Sequence, residues 1–157
     1  MGAPLSPLLS NCFVENIETI ALDSYFLKHK FWGRYMDDII SVWNYEVEEL
    51  KSFLEHLNFW GVDINFTIES EEDNKLHFLD VLLVQNENSL DFKIYRKPTN
   101  NNRYLLFFSS HACQVKIGLI ISLTDHIFRI CSPKFIEEEL LLLKEMFVSN
   151  PLSRLVN

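Results

Sequence analysis

The spacing of apolar residues near the N-terminus predicts a helix followed by a hairpin. Apolar side chains recur every three or four residues over 5–24, which is typical of an amphipathic helix. Two runs of β-forming residues, 31–36 and 39–43, are separated only by Asp37-Asp38. A two-residue polar break of this kind predicts a tight hairpin with the aspartates at its tip.

The middle of the chain shows the two-residue alternation of strands. After a second amphipathic pattern, which predicts a helix over 47–57, alternation predicts a strand over 64–68 and a more fully apolar strand over 76–84. The polar residues 86–89 predict a turn, and alternation resumes over 90–96. We therefore expect the last two strands to form a second hairpin.

The pattern becomes helical in the last third of the chain. Helical spacing covers 112–130 and 134–148, and the three residues 131–133 separate the two stretches. A serine followed by a proline and then by acids is typical of a helix start. The sequence thus predicts an α+β fold in two parts, a mixed part over 1–98 and an all-helical part over 99–157.

Composition narrows the class of protein. The chain has 157 residues, of which 48% are hydrophobic and 13% aromatic, enough for one buried core. Its apolar runs fall far short of the roughly 20 residues of a membrane span, and we expect no secretory signal at its start. Three widely spaced cysteines fit neither a disulfide framework nor a CxxC metal site. We therefore expect an intracellular protein with unpaired thiols, in a reducing compartment and without a membrane partner.

The net charge of −8 is unevenly distributed along the chain. Residues 46–87 hold eleven acids and two lysines, a net charge of −9, so the rest of the chain sums to +1. Basic residues gather around position 34 and again between 93 and 103, where tyrosines alternate with them. Such clusters are typical of nucleic-acid contacts with base stacking, but also of strand edges protected by lysines. The candidates for contact with a nucleic-acid backbone are Arg34, Arg96, Lys97 and Arg103.

The pair Asp37-Asp38 has two explanations. Aspartates at a hairpin tip most often form a plain turn, because Asp tolerates the backbone angles of turns. Here, however, apolar and aromatic residues flank the pair on both sides, which a solvated turn does not require. Two Mg²⁺ ions about 4 Å apart, as in polymerase active sites, need carboxylate oxygens on a rigid support. Asp37 and Asp38 are therefore candidate metal ligands.

Two boxes of the sequence resemble those of reverse transcriptases. Tyr35-Met36-Asp37-Asp38 resembles the catalytic YxDD tetrad. Residues 1–7, MGAPLSP, resemble the G-x-P-x-S-P box that precedes it in those enzymes, with a helix between the two. Further short stretches of the sequence resemble those of Penelope-like retroelement reverse transcriptases. The stretches that carry this closer resemblance are 31–35, 64–69, 78–82, 95–99 and 103–105.

The resemblance implies a fold, a reaction and partners. The fold is expected to be the second half of a polymerase palm, with the 76–96 hairpin as a primer grip, followed by a thumb-like helical tail. The reaction is expected to be RNA-directed DNA synthesis with Mg²⁺, on an RNA template and a DNA primer, and the resemblance allows a nuclear location. The residues that it places in the site are Asp37 and Asp38 as catalytic and metal-binding groups, and Gly2, Pro4, Ser6, Tyr35 and Met36 around nucleotide and template.

One departure from the family pattern bears on activity. In the resembled enzymes a third aspartate lies upstream of the G-x-P-x-S-P box, whereas this sequence begins at the box. Asp23 and Asp80 are the obvious substitutes, but Asp23 belongs to the helix expected behind the sheet, and Asp80 to a position without a known catalytic role. We therefore expect no polymerase activity from this chain alone, and a need for a complementing upstream fragment.

The alternative hypothesis is a non-catalytic module. The two helices over 112–148 are predicted to form a helix-turn-helix that binds nucleic acid or another partner. Their charged residues sum to −1, which favours a helical packing unit over a DNA reader. Two hypotheses therefore remain: a reverse-transcriptase fragment that is inactive alone, and a helix-turn-helix module derived from a retroelement.

Overall fold

The computed structural model describes residues 5–61, 64–87, 89–100, 104–105 and 109–148. Contacts divide the chain into two compact units, unit 1 over Met1–Ser70 and unit 2 over Glu71–Asn157. The described residues form four helices and two small antiparallel sheets, so the predicted α+β class is confirmed. The assignment to a polymerase palm and thumb stays a prediction.

Unit 1 confirms the predicted helix, hairpin and second helix. Pro7 lies in the first turn of the first helix, where its missing N–H costs no hydrogen bond. Glu46 and Glu49 form a capping box at the start of the second helix. The elements are α1 (Ser6–Ser24), β1 (Phe31–Tyr35), β2 (Asp38–Val42) and α2 (Val47–Trp60).

Aromatic rings form the core of unit 1. Phe53 of α2 is 4% exposed. The ring centroids of Tyr25 and Trp43 each lie 5.0 Å from that of Phe53, and the ring of Trp32 lies 5.9 Å away. Rings at these separations attract one another beyond the burial of their area. The hairpin and the two helices therefore share one core.

The predicted strand over 64–68 is wrong. Residues 64–71 form no regular strand. Instead, the side chain of Asn58 in α2 accepts a hydrogen bond from the Phe66 amide at 2.6 Å and donates one to the Phe66 carbonyl at 3.1 Å. A side-chain amide thus takes the place that a neighbouring strand would fill.

Unit 2 contains a three-stranded meander and two helices. The predicted long strand over 76–84 is two strands, because the chain turns back at Leu79, which has a φ of 56°, and pairs Phe78 with Val81. The predicted strand after 86–89 and both predicted helices are confirmed. The elements are β3 (Lys75–Phe78), β4 (Val81–Gln85), β5 (Leu90–Ile94), α3 (Cys113–Ile130) and α4 (Pro133–Val148).

The core of unit 2 lies between β5 and the two helices. Ile127, Cys131 and Leu143 are buried, and Ile94 of β5 packs against them together with other half-buried apolar residues. Since β5 shares a core with α3 and α4, the compact division falls after Ser70. The predicted boundary after residue 98, as a division between palm and tail, stays a prediction.

Two other expectations concern cysteines and the membrane. All three cysteines are free thiols, as predicted. Cys12 and Cys113 are exposed and Cys131 is buried. Among the helices of the described residues, none combines the length and the apolarity that a bilayer crossing requires. The cellular compartment stays a prediction.

Candidate nucleic-acid interface

The two aspartates lie at the end of the β1–β2 hairpin, but the turn is one residue earlier than predicted. Tyr35 pairs with Asp38, so Met36 and Asp37 form the turn and Asp38 begins β2. Both carboxylates are exposed. Met36 has a φ of 53°, in the left-handed region that costs a residue with a Cβ about 1–2 kcal/mol. Such backbone is common at functional turns.

A buried glutamate connects the hairpin to α1. The oxygens of Glu18 accept hydrogen bonds from Trp32 Nε1 at 3.0 Å and from Arg34 Nε at 2.7 Å. Arg34 also donates to the side chain of Asn11 and, at 3.2 Å, to the carbonyl of Met36. The guanidinium thus supports the left-handed turn. Its contact with a nucleic-acid backbone stays a prediction, and would compete with these bonds.

The described residues do not assemble a two-ion metal site at the hairpin. In those ranges no group of three or more His, Cys, Asp and Glu side chains could hold a metal ion. Asp23 is exposed on α1, and Asp80, in unit 2, lies 3.0 Å from His126. Two carboxylates suit one Mg²⁺ that takes its other ligands from water and substrate. Mg²⁺ binding by Asp37 and Asp38 therefore stays a prediction.

The remaining predicted substrate contacts are only partly covered by the structure. Ser6 is the first residue of α1 and is exposed. Tyr35 and Met36 are 56% and 69% exposed, so both are accessible to a ligand. Lys97 is exposed as well. Gly2, Pro4 and Arg103 lie outside the described residues.

In unit 2, α3 and α4 form a helix-turn-helix whose turn is attached to β5. Cys131 and Ser132 separate the helices. The Ser132 amide donates to the Phe92 carbonyl at 2.9 Å, and the Ser132 hydroxyl accepts from the Phe92 amide at 3.0 Å. The turn therefore continues the hydrogen bonding of the sheet edge.

Ion pairs bind the first half of α4 to β5 and the residues after it. Lys93 Nζ lies 2.7 Å from Glu138 Oε1, and Arg96 Nη1 lies 2.6 Å from Glu139 Oε2. Glu139 is fully buried, and among the described residues neither of its oxygens has a hydrogen bond of normal geometry. The attraction is thus chiefly Coulombic. Arg96 remains only a predicted contact for a nucleic-acid backbone, because Glu139 already neutralises it.

Two pKa shifts follow from the packing of the helix-turn-helix. Lys134 Nζ lies 2.5 Å from Asp91 Oδ2, and this hydrogen bond, joined by others from Ser132 and Asn86, lowers the pKa of Asp91. Burial raises the pKa of the Cys131 thiol. Asp91 is therefore held as a carboxylate and Cys131 as a neutral thiol.

The exposed surface of α3 is largely apolar, whereas that of α4 is largely charged, with Lys134, Glu137, Glu138, Lys144 and Glu145 exposed. Ile117, Ile121 and Phe128 are exposed along one side of α3, at the spacing of a single helical face. Arg129 of α3 and Lys144 of α4 are exposed cations. Unit 2 carries a net charge of −1, whereas unit 1 carries −7. Unit 2 therefore repels phosphate much less than unit 1 does.

One part of the chain corresponds to a known family. Residues 103–151 match the family model of the animal helix-turn-helix domain. The match includes all of α3 and α4, and it confirms the predicted helix-turn-helix. No curated protein and no solved structure matches the chain. The reverse-transcriptase assignment stays a prediction.

Sequence reasoning missed the two buried glutamates. Glu18 is buried with Ile17 and Ala21 on α1, and Glu139 is buried with Leu143 on α4. Each acid therefore occupies a position in the apolar face of its helix, four residues or fewer from a buried neighbour. An acid in an apolar stripe was the signal that could have found them, since such an acid needs a cationic partner.

Proposed function

We propose that this chain is a nucleic-acid-binding module derived from a retroelement reverse transcriptase, in which α3 and α4 make the principal contact. The observation that carries the proposal is the match of residues 103–151 to a helix-turn-helix family at the two helices. A helix-turn-helix is a common means of docking on a duplex. The YxDD-like tetrad on a left-handed turn supports the retroelement origin.

The charges on the helices predict weak, salt-dependent binding. We assign Arg129 of α3 and Lys144 of α4 to phosphate contacts. Arg129 Nε lies 2.8 Å from Asp125 Oδ2 in an exposed ion pair, and a phosphate can displace such a weak pair. Two phosphate contacts give a slope of about −1.8 in the logarithm of affinity against that of salt. The affinity should therefore fall about twelvefold between 50 and 200 mM salt, with a Kd in the non-specific range of about 10⁻⁴–10⁻⁶ M.

Fluorescence anisotropy of the full chain on a labelled DNA duplex tests this proposal. Arg129→Ala should weaken binding and reduce the salt slope by about 0.9, because one phosphate contact is lost. Lys51→Ala is the matched control, since it removes one exposed cation from α2 in unit 1. The proposal fails if the chain binds no duplex, or if the control changes the slope as much as Arg129→Ala.

We expect no DNA synthesis by the chain alone. Asp37 and Asp38 supply two carboxylates, and in-line phosphoryl transfer between two metal ions requires a complete, rigid ligand set. A primer-extension assay with Mg²⁺ and an RNA template measures this directly. Templated synthesis that is abolished by Asp37→Asn would show that the chain is a polymerase in its own right.

A further inference from the structure

A cavity of about 140 Å³ lies between the chain that follows β5 and the two helices of unit 2. Its apolar lining includes Leu123, Ile127 and Leu143, of which the last two are 1% and 6% exposed. Asn100, also in the lining, is exposed and marks the side that opens to solvent. Polar and apolar atoms contribute about equally to the exposed lining, so the cavity offers both a packing surface and hydrogen-bonding groups to a ligand.

Two tyrosine rings line this cavity in fixed positions. The ring of Tyr95 is stacked on that of His77, with centroids 4.4 Å apart and planes 16° apart. The ring of Tyr104 lies 5.7 Å from that of Phe147. Both tyrosines are half-buried. Rings held in this way are surfaces on which unstacked nucleic-acid bases pack.

The polar groups of the cavity suit a neutral ligand. The charge of Arg96 is balanced by Glu139 at 2.6 Å, and His126 Nε2 lies 3.0 Å from Asp80 Oδ2. The guanidinium has five N–H donors, and a side-chain amide such as that of Asn100 both donates and accepts. The Glu139 carboxylate that neutralises Arg96 and the Asp80 carboxylate beside His126 disfavour a phosphate here, while the donors and acceptors favour a planar ring with polar edges.

The size of the cavity selects one ring. A cavity of about 150 Å³ holds a benzene molecule, whereas drug-sized ligands need about 300 Å³ or more. We propose that this cavity binds the pyrimidine base of a single-stranded nucleic acid. The proposal rests on the proposed nucleic-acid-binding function and deepens it, since it adds a site for an unpaired pyrimidine base to the duplex contact proposed for α3 and α4. A single ring fills the cavity, whereas the second fused ring of a purine would extend from it into solvent and gain less from packing.

The experiment compares three labelled nucleic acids on the full chain by fluorescence anisotropy: oligo(dT), oligo(dA) and the duplex of the two. Stacking on an aromatic side chain is worth about 1–3 kcal/mol for each base, so we expect oligo(dT) to bind about tenfold more tightly than oligo(dA). Saturation-transfer NMR with free thymidine and free adenosine probes the cavity without a phosphate chain. Thymidine should receive the signal and adenosine should not.

Two variants connect the preference to the cavity. Leu123→Phe fills the apolar wall, and Asn100→Ala removes a polar group from the exposed side without disturbing the core. Each variant should reduce the ratio of the affinities for oligo(dT) and oligo(dA) to less than about twofold, because most of the stacking energy is lost. Asn44→Ala, at an exposed asparagine of unit 1, is the matched control and should leave the preference unchanged.

The outcomes separate this inference from the proposed function. Equal affinity for oligo(dT) and oligo(dA), or a preference that survives Asn100→Ala, overturns the pyrimidine site even if the duplex binds. Binding of oligo(dT), with a preference over oligo(dA) that is lost in Asn100→Ala, supports the site even if the duplex does not bind, and in that case the proposed function alone fails. Contact with neither nucleoside overturns the site.

Discussion

Replacing Glu139 by glutamine should destabilise unit 2 by about 3 kcal/mol. Glu139 is fully buried, and the side chain of its partner Arg96 is 17% exposed. Removing one member of a buried ion pair leaves the other charge uncompensated and costs about 3–5 kcal/mol. The remaining exposure of Arg96 places the expected loss at the lower end of that range. Glu138 provides a contrast, because its side chain is 62% exposed and exposed pairs contribute about 0–1 kcal/mol.

Urea unfolding of the full chain measures the difference. Circular dichroism follows the helices, and tryptophan fluorescence reports on unit 1, since all three tryptophans lie in residues 1–70. The midpoint from circular dichroism should fall in Glu139→Gln and stay nearly unchanged in Glu138→Gln. The double variant Glu139→Leu/Arg96→Met should recover most of the loss, because it removes both charges of the buried pair, while Lys93, 3.7 Å from Glu139, keeps its closer pair with Glu138. Equal effects of the two single variants would refute the reasoning from burial.

Three further predictions concern stability. Glu18→Gln should lower the free energy of unfolding by about 2 kcal/mol, because hydrogen bonds to a charged group are worth about 1.5–3 kcal/mol. Urea unfolding followed by tryptophan fluorescence measures this loss. Glu15→Gln, at an exposed site on the same helix, is the control. Met36→Gly should raise the free energy of unfolding by about 0.5–1 kcal/mol, since the relief of left-handed strain exceeds the entropy that glycine adds to the unfolded chain. A lower urea midpoint in this variant would contradict the strain. The pKa of Asp91 is lower in the folded state, so its stabilisation is fully present above the unfolded value of 3.8 and is lost as the pH falls through the folded value. Lys134→Met should flatten that part of the pH profile of the urea midpoint, and an unchanged profile would count against the pair.

Long periodic patterns carried most of the correct structural predictions. The helices α1, α3 and α4 follow apolar spacings of three and four over many residues, and their bounds differ from the predicted ones by only one or two positions. Short alternating runs were less informative. The alternation over 64–68 is compatible both with a strand and with the irregular segment that bonds to Asn58. The turn at Leu79 contains neither glycine nor proline, the residues from which a turn is usually predicted.

The candidate sites show a similar limit. Spacing predicted the aspartate hairpin, yet the register placed Met36 in the turn instead of Asp38, because strand pairing depends on contacts along the whole ladder. The acids Glu18 and Glu139 could be recognised as misplaced on apolar faces. Their partners lie elsewhere in the chain, Arg34 in β1 and Arg96 just after β5, and only tertiary packing brings each cation to its acid.

The attachment of the helix-turn-helix to β5 decides which fragments of the chain can fold. A piece confined to residues 103–151 would leave behind Phe92, which bonds to the interhelical serine, and Arg96, which neutralises Glu139. In that piece Glu139 would have lost its cationic partner and the covering sheet. We expect its helices to unfold or to aggregate. The compact unit that contains all of these bonds begins at Glu71.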